Sequence, residues 1–186
     1  MLLEREKALT LLHKHVKNER MIAHSLSSEA VMRALALRLD KDVEKWGITG
    51  LLHDLDVEFT NGDAKTHGLV AADWLLEMGI DPDVADAIKM HNEAASGMER
   101  STEFQFALAA GETITGLITA TAMVYPDRKV ASVKPKSIVK RMKEKAFAAS
   151  VKRENIMECE KIGIPINEFA ELSITAMAEI ADQIGL

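Results

Sequence analysis

The sequence predicts an all-α, single-domain fold, and three observations carry that prediction. Apolar residues recur at spacings of three and four along nearly the whole chain, and no stretch alternates apolar and polar residues as a half-buried strand does. Helix start and stop signals fall between these runs: Asp81-Pro82, Thr102 with Gln105, and Gly163 with Pro165. The composition, 47% hydrophobic with 4% aromatic residues and ten Met, suits a helical core filled by flexible side chains. With 186 residues, one well-buried core suffices.

Taken in order, the pattern places helices at about 2–17, 19–39, 42–56, 66–78, 82–91, 102–124, 135–149, 152–162 and 166–184. Asn61-Gly62 is a turn signal between the third and fourth. Asp81 is a capping carboxylate ahead of a proline suited to the first turn. Thr102 and Gln105 have capping-box spacing. The stretch 92–101 reads as the mobile loop. No internal repeat, low-complexity tract or linker is present.

Charge and cysteine usage exclude several classes. The net charge of −6 argues against non-specific nucleic-acid binding. Cys159 is the single cysteine, so an intrachain disulfide is excluded. The first residues are charged and carry no signal-like apolar segment, and no uninterrupted apolar run approaches the roughly 20 residues of a membrane span. The expectation is a cytoplasmic protein with neither nucleic acid nor membrane as partner. Ile180 and Ile184 on the last helix offer an apolar surface for a homodimer.

The chemistry-bearing residues are histidines and acids on the apolar sides of their helices. His24 shares a stripe with Ser27, Ser28, Val31 and Leu35. His53 and Asp54 follow Val43, Trp46, Gly47 and Gly50; two glycines inside a helix cost about 1 kcal/mol each relative to Ala, which implies a close approach to the backbone there. His67 falls with Val70, Ala71, Trp74 and Met78, His91 with Val84, Ala87 and Ile88, and Glu112 with Leu108, Ala109, Thr115 and Gly116. His13 and His15 flank Lys14 on a charged helix and read as solvated. A lone inward His is most often a hydrogen-bonded core residue. Several inward ionisable groups, each costing several kcal/mol to bury unpaired, would all be satisfied by one metal centre.

The order of these residues resembles the HD superfamily of metal-dependent phosphohydrolases. His24, then His53-Asp54 within Leu51–Asp56, then an acid at Glu112 resembles its H…HD…D signature. His67 in Thr66-His67-Gly68 and His91 in Met90-His91-Asn92-Glu93 resemble the extra histidines of members that hold two metals. Ile114–Ile118 and Lys140–Phe147 look like the C-terminal half of small stand-alone members, so the similarity runs from about 20 to 155. The resemblance implies an HD-type helical bundle with its site in the middle. The resemblance also implies one or two divalent ions, drawn from Fe, Mn, Zn, Ni or Mg. His24, His53, Asp54 and Glu112 would hold the first. His67 and His91 would either add a second bridged by Asp54 or, with one ion bound, contact substrate phosphate or shuttle protons. Two departures stand out. Glu112 occupies the position where the family usually has Asp, and its extra methylene moves the carboxylate outward. The Gly-Tyr-Pro motif of members that cleave cyclic dinucleotides does not follow His91, where Ala94-Ala95-Ser96-Gly97 stands.

The activity this implies is hydrolysis of a phosphate ester by metal-activated water, the substrate being a nucleotide or another small phosphorylated metabolite. Asp54 is the central catalytic residue, and Glu93 is the candidate to orient or deprotonate the water. Arg20, one turn before His24, and Lys140 and Arg141 in the basic segment 134–145 are the candidate substrate-binding cations. Two other readings use the same residues: a di-iron oxygenase, and a non-catalytic ligand-binding or regulatory module, which the Glu112 departure favours.

Overall fold

A computed structural model describes residues 1–186 as helices joined by turns, with no β-strand. In chain order the helices are α1 (Arg5–His15), α2 (Glu19–Arg38), α3 (Val43–Leu52), α4 (Leu69–Glu77), α5 (Pro82–His91), α6 (Glu93–Ser96), α7 (Glu103–Met123), α8 (Pro135–Arg141), α9 (Arg153–Ile156), α10 (Ile166–Glu179) and α11 (Ala181–Ile184). Two 3-10 turns, Val130–Ser132 and Met157–Ile162, fall among the later ones.

The two longest helices, α2 and α7, form the centre, with α3 and α10 laid along α2 and α5 against α7. Val31, Met32, Leu35, Ile48, Leu51, Ile88, Leu108 and Ile114 meet in the core without solvent exposure. Each such side chain contributes about 1.5–3 kcal/mol by leaving water. α7 starts on a complete capping box: Thr102 Oγ accepts from the Gln105 amide at 3.2 Å, and Gln105 Oε1 accepts from the Thr102 amide at 3.2 Å. α7 is long and apolar enough to cross a membrane, but most of that apolar stretch is buried in the bundle, as in any core helix.

Gly47 and Gly50 make room for a neighbouring helix rather than for a ligand. A Cβ on Gly50 would stand 2.6 Å from the Ser28 carbonyl oxygen, and one on Gly47 would stand 2.7 Å from the Arg33 side chain. The close approach expected from the sequence is therefore that of α2 onto α3. Because α2 carries His24 and His53 caps α3, this packing sets the distance between those two imidazoles.

Several expected helices are shorter than the apolar pattern suggests. The third stops at Leu52, and residues 53–68 fold as turns. The fourth begins at Leu69, so His67 lies outside it and does not share its face. The helix expected over 135–149 stops at Arg141, and turns follow. There Arg153 Nη1 donates to the carbonyls of Ala148 (2.6 Å) and Val151 (2.7 Å), and Nη2 donates to Phe147, which fixes the segment without helical bonds. The last helix breaks at Ile180. Ile180 and Ile184 are half-buried there rather than fully exposed. His15, expected to be solvated, lies against the Trp74 ring in a tilted arrangement with centroids 4.6 Å apart, and burial lowers its pKa.

Gly50→Ala tests the α2–α3 contact. The helix-propensity gain of about 1 kcal/mol is outweighed because the new methyl meets backbone rather than a movable side chain. The expected result is a net loss of about 1–3 kcal/mol, read as a Tm lower by roughly 2–4 °C per kcal/mol in calorimetry.

Candidate metal centre

Five segments deliver six candidate ligands to one place. His24 comes from the first half of α2, His53 from the C-terminal cap of α3, and Asp54 from the residue after it. His67 comes from the turn before α4, His91 from the last residue of α5, and Glu112 from the middle of α7. Their ligand atoms form two groups, His24–His53–Glu112 and Asp54–His67–His91, with the atoms of each group within 4.8 Å of one another.

The four imidazoles share one orientation, and its cause is local. His53 Nδ1 faces the Gly50 carbonyl at 2.8 Å, and His91 Nδ1 faces the Ile88 carbonyl at 2.5 Å. Both use a carbonyl that the end of a helix leaves unpaired. His67 Nδ1 lies 2.7 Å from Asp56 Oδ1. His24 Nδ1 lies 3.0 Å from Thr115 Oγ, whose own proton goes to the Glu112 carbonyl at 2.7 Å. Each Nδ1 therefore carries the proton and donates it outward, which leaves the Nε2 lone pair pointing inward in the neutral ring. The inward atoms nearly touch: His24 Nε2 and His53 Nε2 are 3.1 Å apart, and His67 Nε2 and His91 Nε2 are 3.2 Å apart. Facing lone pairs at that distance repel unless a cation lies among them. The donor set, imidazole nitrogen with carboxylate oxygen, suits a transition-metal ion.

Asp54 stands between the two groups. Its Oδ1 is 2.9 Å from His67 Nε2, 3.4 Å from His53 Nε2 and 3.6 Å from His91 Nε2, while its Oδ2 is 3.5 Å from His24 Nε2. Burial alone would raise its pKa, but the surrounding histidines hold it well below the usual carboxylate range. Burial drives the His53 pKa down to about 3, which keeps that ring neutral and able to bind a metal. Burial alone would also lower His67, yet its hydrogen bonds to Asp54 and Asp56 push it up to about 10. In the metal-free protein this contact contributes stability below pH 6.5 that is lost as pH rises through about 10; a metal at Nε2 displaces that proton.

Asp56, which the sequence reading did not single out, organises the second group. It is completely buried. Besides holding His67, its Oδ2 accepts the amides of Gly68 (2.9 Å) and Ala71 (3.0 Å), so it caps α4 from a distance. The cap residue Gly68 has no side chain to do this, and its φ of +87° is the left-handed backbone that favours glycine. A Cβ there would also come within 3.0 Å of His91 Cε1. Gly68 thus permits both the turn and the placement of His91.

Glu112 reaches the cluster despite replacing the family's Asp. Its Oε2 lies 3.8 Å from His24 Nε2. Its Oε1 accepts from Thr113 Oγ, which in turn faces Asn155 Nδ2 at 3.4 Å, and Asn155 Oδ1 accepts from Arg100 Nη2 at 3.0 Å. Burial raises the Glu112 pKa. Arg100, Asn155 and Thr113 were all missed, and only Arg100, a charge inside an apparent loop, left a sequence signal.

Arg100 also corrects the expectation for Glu93 and ties the 92–101 segment to the bundle. Its guanidinium is buried, pairs with Glu158 at 2.7 Å and donates to the carbonyls of Met90 (3.0 Å) and His91 (3.3 Å). Glu93 Oε1 accepts from the Arg100 amide at 3.1 Å, and Glu93 Oε2 is 3.4 Å from Nη2. Glu93 is therefore committed to Arg100 and does not line the cleft above the cluster. Arg20, Lys140 and Arg141 do not reach that cleft either. Arg20 is exposed, Lys140 is exposed beside Glu144, and Arg141 lies over the Phe147 ring at 3.7 Å. The cleft, about 290 Å³, has Asp54, His67, His91 and Glu112 on its walls together with Asn92, Thr113, Lys152 and Asn155.

Comparison with known proteins agrees with this geometry. The family model described as HD domain matches residues 21–128, more than half of the chain. The chain belongs to the HD-domain family, whose members are generally metal-dependent phosphohydrolases. It is also similar to an uncharacterized protein of Methanocaldococcus jannaschii, MJ0778: 34% identity over 106 residues, covering 54% of this chain and 61% of that protein. This chain thus spans about three-fifths of that relative's length. No solved structure matches it.

The role of Asp56 can be read without turnover. Asp56→Asn leaves an acceptor for the α4 amides but removes the charge that orients His67. Metal affinity measured by isothermal titration is expected to fall about 10–100-fold, with little change in helical circular dichroism. Unchanged affinity would show that His67 is held without Asp56.

Proposed function

We propose that this protein hydrolyses a phosphate ester of a small phosphorylated metabolite, with water activated by one or two divalent ions. The observation that carries the reading is the pair of donor groups with Asp54 standing between them on the wall of an open, polar cleft. His24, His53 and Glu112 would hold one ion, His67 and His91 the other, and Asp54 would bridge them. A bound ion supplies Lewis-acid stabilisation of the phosphoryl oxygens and a water acidic enough to attack near neutral pH.

The protein's own part is positioning. Asp54 contributes negative charge that stays ionised, so it does not compete for the proton of the attacking water. The outward Nδ1 bonds keep four Nε2 atoms aimed inward through the reaction. The Thr113 hydroxyl holds Oε1 of Glu112 and leaves Oε2 for the centre. In the overall step water oxygen bonds to phosphorus, the ester P–O bond breaks, and the departing alcohol oxygen takes a proton. The proposal includes neither nucleic acid nor membrane as partner.

The nitrogen-rich donor set, four imidazoles to two carboxylates, also favours a second reading as a di-iron oxygenase. Elemental analysis paired with ester assays separates the two. Divalent ions with phosphatase turnover support hydrolysis. A redox-active iron pair without it supports the oxygenase.

Asp54→Ala tests both as regards the site. It is expected to abolish hydrolysis and metal retention while circular dichroism keeps its helical amplitude. Wild-type turnover in the Asp54→Ala protein would move the active site elsewhere.

A further inference from the structure

The cleft's polar side chains are fixed in ways that specify what can bind beside the metal centre. Asn92 Nδ2 donates both of its protons, one to the Ala64 carbonyl and one to the His67 carbonyl, each at 3.0 Å. Its amide therefore cannot flip, and Oδ1 is left as an acceptor without a partner in the protein. Asn155 is fixed the opposite way. Arg100 is donor-only, so the atom it meets must be Oδ1, and the Asn155 amide nitrogen carries one proton toward Thr113 and keeps a second. Lys152 is exposed at the cleft and makes no ion pair or side-chain hydrogen bond. Next to the metal ligands the cleft thus offers one unpaired cation, one N–H donor and one carbonyl acceptor.

The apolar side of the inventory is equally informative. Among the cleft residues only Ala64 is hydrophobic, and the only rings are the imidazoles of His67 and His91. Nucleobases are held mainly by stacking, worth about 1–3 kcal/mol per base. Trp74, with Phe59 against it, lies at a separate depression lined by His15 and Met78. The cleft has no platform for a base.

We infer that the cleft takes a phosphomonoester of a small hydroxylated alcohol, with Lys152 on the phosphate and Asn92 Oδ1 accepting from a hydroxyl of the alcohol. The inference rests on the hydrolase reading for its reaction but not for its contacts. The cation and the Asn155 N–H suit the phosphoryl oxygens. The free acceptor has no use for an ionised phosphate oxygen, which cannot donate, and calls for an O–H or N–H donor on the ligand, of which a hydroxyl is the one an alcohol supplies. Because a nucleotide's ribose offers hydroxyls too, discrimination against nucleotides rests on the missing base platform. The site would favour polyol or simple sugar phosphates because a base gains nothing there.

The test uses the full-length protein loaded with manganese, with glycerol phosphate, propyl phosphate and adenosine monophosphate as substrates and inorganic phosphate as a binding probe. Glycerol phosphate should be cleaved with kcat/KM roughly tenfold above propyl phosphate, and adenosine monophosphate should do no better than glycerol phosphate. Lys152→Met should raise KM for glycerol phosphate and Kd for inorganic phosphate by roughly tenfold, with kcat nearly unchanged as expected for uniform binding. Preference for adenosine monophosphate, or equal use of glycerol and propyl phosphates, overturns the substrate class. Phosphate affinity unchanged in Lys152→Met overturns the anion contact. Turnover of none of the esters, with phosphate binding still weakened by Lys152→Met, removes the hydrolase reading while supporting that contact.

Discussion

The structure depends on one constraint: each of four histidines has its Nδ1 occupied on the outside, so all four present Nε2 to the inside. Two of these bonds come from helix ends, where His53 and His91 take the carbonyls of Gly50 and Ile88 three residues earlier. The other two come from buried polar groups, Thr115 and Asp56. Neutral rings aimed this way repel one another, and the bundle tolerates them only with positive charge between them. In the metal-free chain, a proton on His67, stabilised by two aspartates, supplies part of that charge.

Around this centre the polar network is graded by burial. Asp56 and Arg100 are hidden and fully engaged, and they act by fixing neighbours: Asp56 fixes His67 and the start of α4, while Arg100 fixes Asn155, Glu93 and the end of α5. Breaking such buried pairs by removing one partner typically costs 3–5 kcal/mol, so both residues support the shape of the site as well as its chemistry. Farther out, Asn92, Asn155 and Lys152 keep free hydrogen-bonding capacity toward the cleft. That difference separates residues that build the site from those available to a substrate.

Much of this was legible in the sequence, and the reasons are physical. The helical class followed from periodicity, and the candidate metal ligands stood out as inward ionisable residues ordered as in a known family, although His67 lies in a turn and not on the helix face its spacing suggested. The length of the third helix was misread because the apolar pattern continues past Leu52, whereas the chain leaves the helix so that Asp54 and Asp56 can turn inward. Asp56 itself was hidden because its partners, Gly68 and Ala71, lie 12 and 15 residues away. Arg20, chosen for its place one turn before His24, and Lys140 are exposed on solvated faces, while Arg141 packs over Phe147 beside Glu144, so none of the three charges is directed at the cleft. Lys152 drew no attention in sequence, since only the packing of α9 against α7 brings it to the cleft.

The most direct test of the account is anomalous diffraction from crystals of the manganese- or zinc-loaded protein, collected at the metal edge. The account predicts a peak between His24, His53, Glu112 and Asp54 at about 2.0–2.1 Å from Nε2 atoms for zinc, with His67 and His91 facing a second position on the other side of Asp54. An anomalous peak bound only elsewhere, with the four imidazoles still paired Nε2 to Nε2, would contradict it.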